Sequence, residues 1–209
     1  MTATPPTVTP RHRPTGLRGW FEDLRYRRFM DRTLHRALTP PDPEAFGAFG
    51  RGSVIVPPTR IVNPGYIFIG DGVVIHESTW LSVEPRFSDV PTRLTIHDGV
   101  RIGRFSQISM CGEVEIGAGA IISDQVLIAD TFHEPHPELS PDEAPLARPR
   151  RVSIGPGAVV DLGAAILPGV SVGPNAYVGP GAVVTEDVPP GARVEGNPAR
   201  VHGTSAAQG

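Results

Sequence analysis

Aliphatic side chains recur every six residues over most of this chain. In the clearest run, each aliphatic position is followed four residues later by a small or β-branched side chain. A turn former such as Gly157 or Asn175 lies between the two and tolerates positive φ or bends the chain through side-chain hydrogen bonds. A helix has no such period, so the pattern predicts a short strand, a bend and another short strand. The aliphatic positions of this run are Ile154, Val160, Ile166, Val172, Val178 and Val184.

The same period is present upstream, although its steps lengthen to eight residues from Ile61 to Ile69 and from Ile108 to Ile116. We interpret these two steps as corner insertions. Three units close one triangular coil, so residues eighteen apart should stack in parallel strands about 4.8 Å apart. Seventeen units can be placed in all, which predicts an all-β parallel β-helix of five to six coils. The upstream positions are Ile55, Ile61, Ile69, Ile75, Leu81, Ile96, Ile102, Ile108, Ile116, Ile122 and Ile128.

The segments outside the repeat define the domain organisation. A Pro- and Thr-rich start predicts disorder, and the arginine-rich stretch 17–38 predicts a helix that packs on the first coil. An amphipathic helix on an anionic membrane is the alternative, which three acidic residues among six arginines disfavour. The predicted divisions are a disordered tail 1–16, a helix with a Pro/Gly connector 17–52, the β-helix domain 53–201 and a flexible C-terminal tail 202–209.

Two loops interrupt the repeat, a short one near residues 84–93 and a long one over residues 131–151. A solenoid accepts a long excursion at a corner, and such loops often carry functional side chains. The long loop holds His133 and His136. Because imidazole takes up a proton near neutral pH, His133, which follows directly on the last regular unit, is the candidate general base. Asp130, three residues earlier, is the candidate to orient it.

Composition narrows the function classes. The net charge is −3 and all 19 basic residues are arginine, so no basic surface indicates a nucleic-acid partner. Cys111 is the single cysteine and can form neither an internal disulfide nor a zinc cage. We find no apolar run long enough to span a bilayer and no signal-peptide pattern, so we expect a cytoplasmic protein.

Two stretches of the sequence carry a resemblance to a known family. Residues 154–201, with ILPGVSVG, VTEDVPPGA and GNPARV, resemble the C-terminal signature of hexapeptide-repeat O-acyltransferases, which include maltose, galactoside and polysaccharide O-acetyltransferases. Residues 115–136 are similar to the stretch that leads to the family's catalytic histidine. The resemblance covers about residues 55–201. It implies a left-handed coil, a homotrimer with active sites between subunits, and acetyl-CoA lying along the C-terminal coils.

The resemblance also implies roles for particular residues. His133 aligns with the catalytic histidine, which would deprotonate the acceptor hydroxyl for attack on the thioester. The positions that line the path of the pantetheine arm are matched by Leu162, Gly163, Pro180 and Gly181. Side chains near the nucleotide end of CoA are matched by Thr185 and Arg200.

Three positions depart from the family pattern. Gly103 stands where the sugar acetyltransferases usually have an asparagine that supports acceptor and base. Glu186 replaces the lysine that often follows the threonine, and Val159 stands where an aromatic residue is common. These departures concern the acceptor class and the CoA contacts more than the base.

We therefore expect an acetyl-CoA-dependent O-acetyltransferase acting on a sugar or glycan, with no metal. The alternatives of the same fold are N-acylation of an amino sugar and acetylation of an antibiotic. From other classes, a γ-type carbonic anhydrase would need zinc ligands among His76, His97, His133 and His136, and a scaffold would lack catalysis altogether.

Overall fold

The computed structural model describes residues 39–87, 89–140 and 143–204, and within these ranges the chain is almost entirely short β-strands. The predicted tail 1–16, the predicted helix 17–38 and residues 205–209 lie outside the described residues. Two short 3₁₀ helices, Pro43–Ala45 and Pro64–Tyr66, precede the first coil and mark an early corner. Among the described helices, none has the length and apolar character needed to cross a membrane.

Eighteen strands form six successive coils of three strands each. Coils one to three comprise β1 (Ala48–Phe49), β2 (Val54–Ile55), β3 (Arg60–Val62), β4 (Ile67–Ile69), β5 (Val74–Ile75), β6 (Trp80–Val83), β7 (Arg93–Ile96), β8 (Arg101–Ile102) and β9 (Gln107–Met110). Coils four to six comprise β10 (Glu113–Ile116), β11 (Ile121–Ile122), β12 (Leu127–Ala129), β13 (Val152–Ile154), β14 (Val159–Val160), β15 (Ala165–Ile166), β16 (Ser171–Val172), β17 (Tyr177–Val178) and β18 (Val183–Val184). Two further strands, β19 (Ala192–Glu195) and β20 (Arg200–Thr204), follow the last coil.

The first, second and third strands of the coils stack into three sheets, which we call sheets A, B and C. Pairing between coils is parallel, and Ile154 lies opposite Val172 as the eighteen-residue spacing predicts. Strand β19 extends sheet B, and β20 then pairs with β19 in the antiparallel direction. The prediction of an all-β parallel β-helix is confirmed in this form, while the left-handed sense stays a prediction from the resemblance.

The repeated aliphatic residues fill the interior of the coils. Of the seventeen predicted positions, all but Ile61 are buried, and Ile61 packs against the core while remaining partly exposed. Burial of each such side chain contributes about 1.5–3 kcal/mol. Corners need residues that accept positive φ: Gly157 and Asn175 stack there with φ of 66° and 55°. A Cβ atom on Gly157 would lie 2.4 Å from Oδ1 of Asn175, so only glycine fits.

Both ends of the β-helix differ from the predicted boundaries. The first coil begins at Ala48, inside the segment predicted as a connector, because β1 pairs with β4 even though its sequence carries no regular unit. At the other end, residues 202–204 belong to β20 and are not part of a flexible tail. Their backbone pairs with β19, which covers an edge of sheet B that would otherwise be open.

Candidate functional site

The outer surface of sheet C forms the floor of a cavity of about 320 Å³. In a strand, alternate side chains face outward, so β6, β9 and β12 present polar or small residues there. The serines of β6 and β9 lie opposite one another in the register, followed by the alanine of β12. The floor residues are Ser82, Gln107, Ser109, Leu127 and Ala129.

Two loops form the walls of this cavity. The loop after β6 contributes Glu84 and Arg86, whose guanidinium donates from Nε at 3.1 Å and from Nη2 at 2.7 Å to Oε2 of Glu84. The long loop after β12 contributes Phe132, His133 and Leu146. Because Glu84 and Arg86 compensate each other, the walls carry polar groups with little net charge.

The long loop folds back on itself as a short hairpin that carries His133. His133 and Leu146 form an antiparallel bridge. On either side of that bridge, the Glu134 N–H donates to Pro145 O at 2.7 Å and the Ala147 N–H donates to Phe132 O at 2.9 Å. Backbone pairing therefore fixes the position of His133 relative to the floor of the cavity.

The imidazole of His133 is oriented by a backbone carbonyl. Its Nδ1 lies 2.7 Å from the carbonyl oxygen of Ala144. A carbonyl oxygen only accepts hydrogen bonds, so Nδ1 carries the proton and donates it. Nε2 is then left with a free lone pair, which is the state that a general base requires.

Asp130 has a different position from the one predicted for it. Its side chain is fully buried, and its carboxylate accepts hydrogen bonds from the Cys111 N–H at 2.9 Å and the Gly112 N–H at 2.6 Å. Burial raises the pKa of this carboxyl, while the two amide donors act in the opposite direction. Ala144, and not Asp130, is the partner of His133, because the carboxylate is committed to the neighbouring coil.

Asp130 nevertheless supports the base of the loop. Its backbone oxygen accepts a hydrogen bond from the Arg150 N–H at 2.9 Å, where the chain returns to the coil. The approach to Gly112 is close: a Cβ atom there would lie 3.1 Å from Oδ2 of Asp130 and 3.0 Å from Cβ of Pro149. Asp130 therefore ties both ends of the loop to the preceding coil.

The single cysteine also lines the cavity. Cys111 is buried and free, and burial, assisted by the nearby Asp130 carboxylate, raises its pKa to about 11. A thiol with this pKa stays protonated at neutral pH and is a poor nucleophile. Its contribution is therefore to packing.

The residues matched to the pantetheine path meet at the corner between sheets B and C. The Gly181 N–H donates to Leu162 O at 2.8 Å, so the pairs Leu162–Gly163 and Pro180–Gly181 stack in successive coils. The side chain of Leu162 is 49% exposed. Strands β15 and β18 continue from these corners, and their outward residues are only Ala165 and Val183. The outer surface of sheet C is therefore smooth over the last two coils.

Thr185 follows β18 and lines a second cavity of about 250 Å³ at the corner between sheets C and A. This cavity shares Thr131 and Phe132 with the His133 cavity, so the two adjoin. Arg200 begins β20 opposite Glu195, and its Nη1 donates to Ala199 O at 2.9 Å. The structure thus brings Thr185 close to His133 and leaves Arg200 on the terminal strand.

A larger cavity of about 540 Å³ lies on the outside of sheet A. Its charged residues are already paired: Nε2 of His97 lies 2.8 Å from Oε1 of Glu115, and Arg151 contacts the other oxygen of the same carboxylate. His136 lies in the long loop, where its Nδ1 accepts a hydrogen bond from the Glu138 N–H, and it lines neither cavity at sheet C. Within the described ranges, no group of three or more potential metal ligands converges.

The sequence did not single out Ser82, Gln107, Ser109, Glu84 or Arg86 as site residues. The outward-facing polar positions of β6 and β9 alternate with the aliphatic positions of the repeat, so period two could have identified the floor. No comparable signal exists for the wall residues, because the path of an irregular loop does not follow from a repeat.

Comparisons with known proteins agree with this architecture. No protein-family model matches the chain. Nodulation protein L of Rhizobium meliloti (strain 1021) is 55% identical over 91 residues, which are 44% of this chain and 49% of that protein. The match therefore spans about half the length of this relative.

Two solved structures share the fold at low sequence identity. The N-acyltransferase AntD of Bacillus cereus, in complex with dTDP-4-amino-4,6-dideoxyglucose and coenzyme A, superposes with a TM-score of 0.66 at 21% identity, over 77% of this chain and 85% of AntD. A hexapeptide-repeat-containing acetyltransferase of Vibrio cholerae, in complex with acetyl coenzyme A, gives a TM-score of 0.53 at 22% identity, over 91% of each chain. The resemblance stated from the sequence is confirmed.

Proposed function

We propose that this chain, which resembles the hexapeptide-repeat acyltransferases in sequence and fold, moves an acetyl group from acetyl-CoA to a hydroxyl of a sugar or glycan. The observation that carries this proposal is the hydrogen bond from Nδ1 of His133 to Ala144, which leaves Nε2 free as a base beside a polar cavity. His133 stands at the boundary between that cavity and the smooth C-terminal surface of sheet C.

His133 would perform the proton transfers of the reaction. Its Nε2 takes the proton of the acceptor hydroxyl while the acceptor oxygen forms a bond to the acyl carbon. The carbon–sulfur bond then breaks, and the imidazolium returns its proton to the leaving thiolate. A positioned base of this kind contributes about 10²–10⁴-fold to the rate.

The donor fits the surface beside His133. A pantetheine arm is narrow and needs a path without bulky side chains, and the outward residues of β15 and β18, Ala165 and Val183, leave one. The stacked corner of Leu162, Gly163, Pro180 and Gly181 bounds this path on one side, and Thr185 bounds it on the other. Arg200 is proposed as a contact near the nucleotide end, as the resemblance implies.

The acceptor cavity suits a hydroxylated molecule. Hydroxyl and amide side chains on its floor can both donate and accept hydrogen bonds, as Ser82, Ser109 and Gln107 do. The main alternative is N-acylation of an amino sugar, which the likeness to AntD favours, since that enzyme was crystallised with an amino-sugar nucleotide. A homotrimer with sites shared between subunits is part of the proposal and rests on the resemblance.

Isothermal titration with acetyl-CoA tests the function, with the oligomeric mass measured on the same material. We expect saturable binding at one site per chain in a trimer, followed by acetyl transfer to at least one compound in a panel of sugars, glycans and amino sugars. Transfer to the hydroxyl compounds supports O-acetylation, and transfer confined to the amines supports the alternative. A folded protein that does not bind acetyl-CoA would contradict both.

A further inference from the structure

The cavity around Thr185 contains two arginines that differ in their ionic partners. Arg148 donates from Nη2 to Oδ2 of Asp89 at 2.9 Å, so its charge is compensated by the loop after β6. Arg150 has no ion pair with any residue in the described ranges, and its side chain is exposed. An exposed guanidinium without a carboxylate partner is available to an anionic ligand.

The backbone of Arg150 is held firmly at the corner between sheets C and A. Its N–H donates to Asp130 O at 2.9 Å, and its carbonyl oxygen accepts from the Gly169 N–H at 3.1 Å. Gly169 has a φ of 87°, and a Cβ atom there would lie 3.3 Å from Cβ, Nε and Cζ of Arg150. The arginine stem therefore lies across a glycine, which directs the guanidinium along the wall of the Thr185 cavity.

The charge at this corner matches the part of the donor that would reach it. Acetyl-CoA carries a diphosphate and a 3′-phosphate, and a guanidinium binds phosphate through paired N–H donors. The residue after Thr185 is Glu186, an anion that would repel phosphate, so Thr185 alone provides no charge compensation. Arg150 is the unpaired cation of this cavity within the described ranges.

We propose that Arg150 is a phosphate ligand for the acyl donor, acting together with the Thr185 hydroxyl. This inference rests on the proposed function, because it assigns a residue to the donor site of that reaction. It adds a contact that neither the repeat nor the resemblance indicated, since Arg150 lies in the loop and outside the C-terminal signature.

Titration calorimetry with three ligands tests the assignment in the full-length protein. The ligands are acetyl-CoA, acetyl-dephospho-CoA, which lacks the 3′-phosphate, and acetylpantetheine, which lacks all phosphates. We expect Arg150→Ala to weaken acetyl-CoA binding about tenfold or more and to leave acetylpantetheine binding unchanged. Arg150→Lys should recover part of the loss, because it keeps the charge and loses the paired donors.

The intermediate ligand identifies which phosphate is bound. If Arg150→Ala weakens acetyl-CoA and acetyl-dephospho-CoA equally, the diphosphate is the partner; if it weakens acetyl-CoA alone, the partner is the 3′-phosphate. Arg51→Ala is the matched control, since Arg51 is exposed in the first coil, and it should bind all three ligands as the wild type does.

Two results would overturn the assignment while leaving the proposed function intact. One is a folded Arg150→Ala variant that binds acetyl-CoA as tightly as the wild type. The other is an equal loss of affinity for acetylpantetheine, which would place the effect outside the phosphates. A wild-type protein that binds no acetyl-CoA would remove the proposed function and this inference together.

Discussion

His133 and Asp130 are three residues apart in the chain and lie in opposite environments. The imidazole is on the exposed side of the loop, with Nδ1 bonded to Ala144, whereas the carboxylate is fully buried against Cys111 and Gly112. A buried carboxylate is tolerated only with such donors, and its two bonds tie the start of the loop to the preceding coil. The two residues therefore have separate roles, one chemical and one structural.

Replacement of Asp130 tests the structural role. Asp130→Ala leaves the Cys111 and Gly112 N–H groups buried without an acceptor, so we expect a loss of about 2–4 kcal/mol in the free energy of unfolding. Asp130→Asn keeps one acceptor oxygen and should lose less. Urea denaturation of the three proteins measures the difference. An unchanged free energy of unfolding in Asp130→Ala would show that these hydrogen bonds do not hold the loop.

The long loop is the element that turns a solenoid into a candidate enzyme. Its two arms pair through backbone hydrogen bonds next to His133, and the Thr131 hydroxyl adds a bond to Ala147 O at 2.5 Å. Thr131 is 8% exposed, so this bond is largely shielded from water. The geometry of the base thus depends on a local hairpin as well as on the prism.

Hydrogen exchange can report on this hairpin amide by amide. Thr131→Val keeps the shape of the side chain and removes its hydrogen bond, which contributes about 1 kcal/mol. We expect the Glu134 and Ala147 amides to exchange about fivefold faster, while the amides of β12 keep their protection. Thr95→Val on sheet A is the control. Unchanged exchange at both loop amides would mean that the hydroxyl bond does not support the hairpin.

The strands could be predicted from the sequence because each coil repeats the same constraint. Every sixth residue must fill the interior and every corner must turn, so Ile154 and Val172 carry their position in their spacing. The first strand, Ala48–Phe49, and the terminal strand that pairs with β19 were missed. Neither contains a regular unit, and both form because an edge of the prism is available for pairing.

The candidate site was predictable only in part. His133 follows the last regular unit before the loop, so the repeat located it, and the resemblance located Thr185 and the stacked corner residues. The hydrogen bond to Ala144 could not be predicted, because it joins residues eleven apart across an irregular loop. Glu84 and Arg86 approach from a different loop, and that meeting depends on three-dimensional packing alone.

At the scale of the whole molecule, sheet C provides one continuous outer surface for two substrates. Its middle coils present the polar floor of the His133 cavity, and its last coils present Ala165 and Val183. The register joins the two regions directly, because Leu127 on the floor lies opposite Ala165. The solenoid thereby aligns an acceptor region and a donor region on either side of a single loop.

Steady-state turnover of His133→Ala, combined with acetyl-CoA titration of the same preparation, tests the central claim most directly. We expect turnover to fall by about 10²-fold or more while the dissociation constant for acetyl-CoA stays close to that of the wild type. His136→Ala, which alters the second histidine of the loop, should retain turnover. A His133→Ala protein that keeps most of its activity would contradict the assignment of His133 as the base.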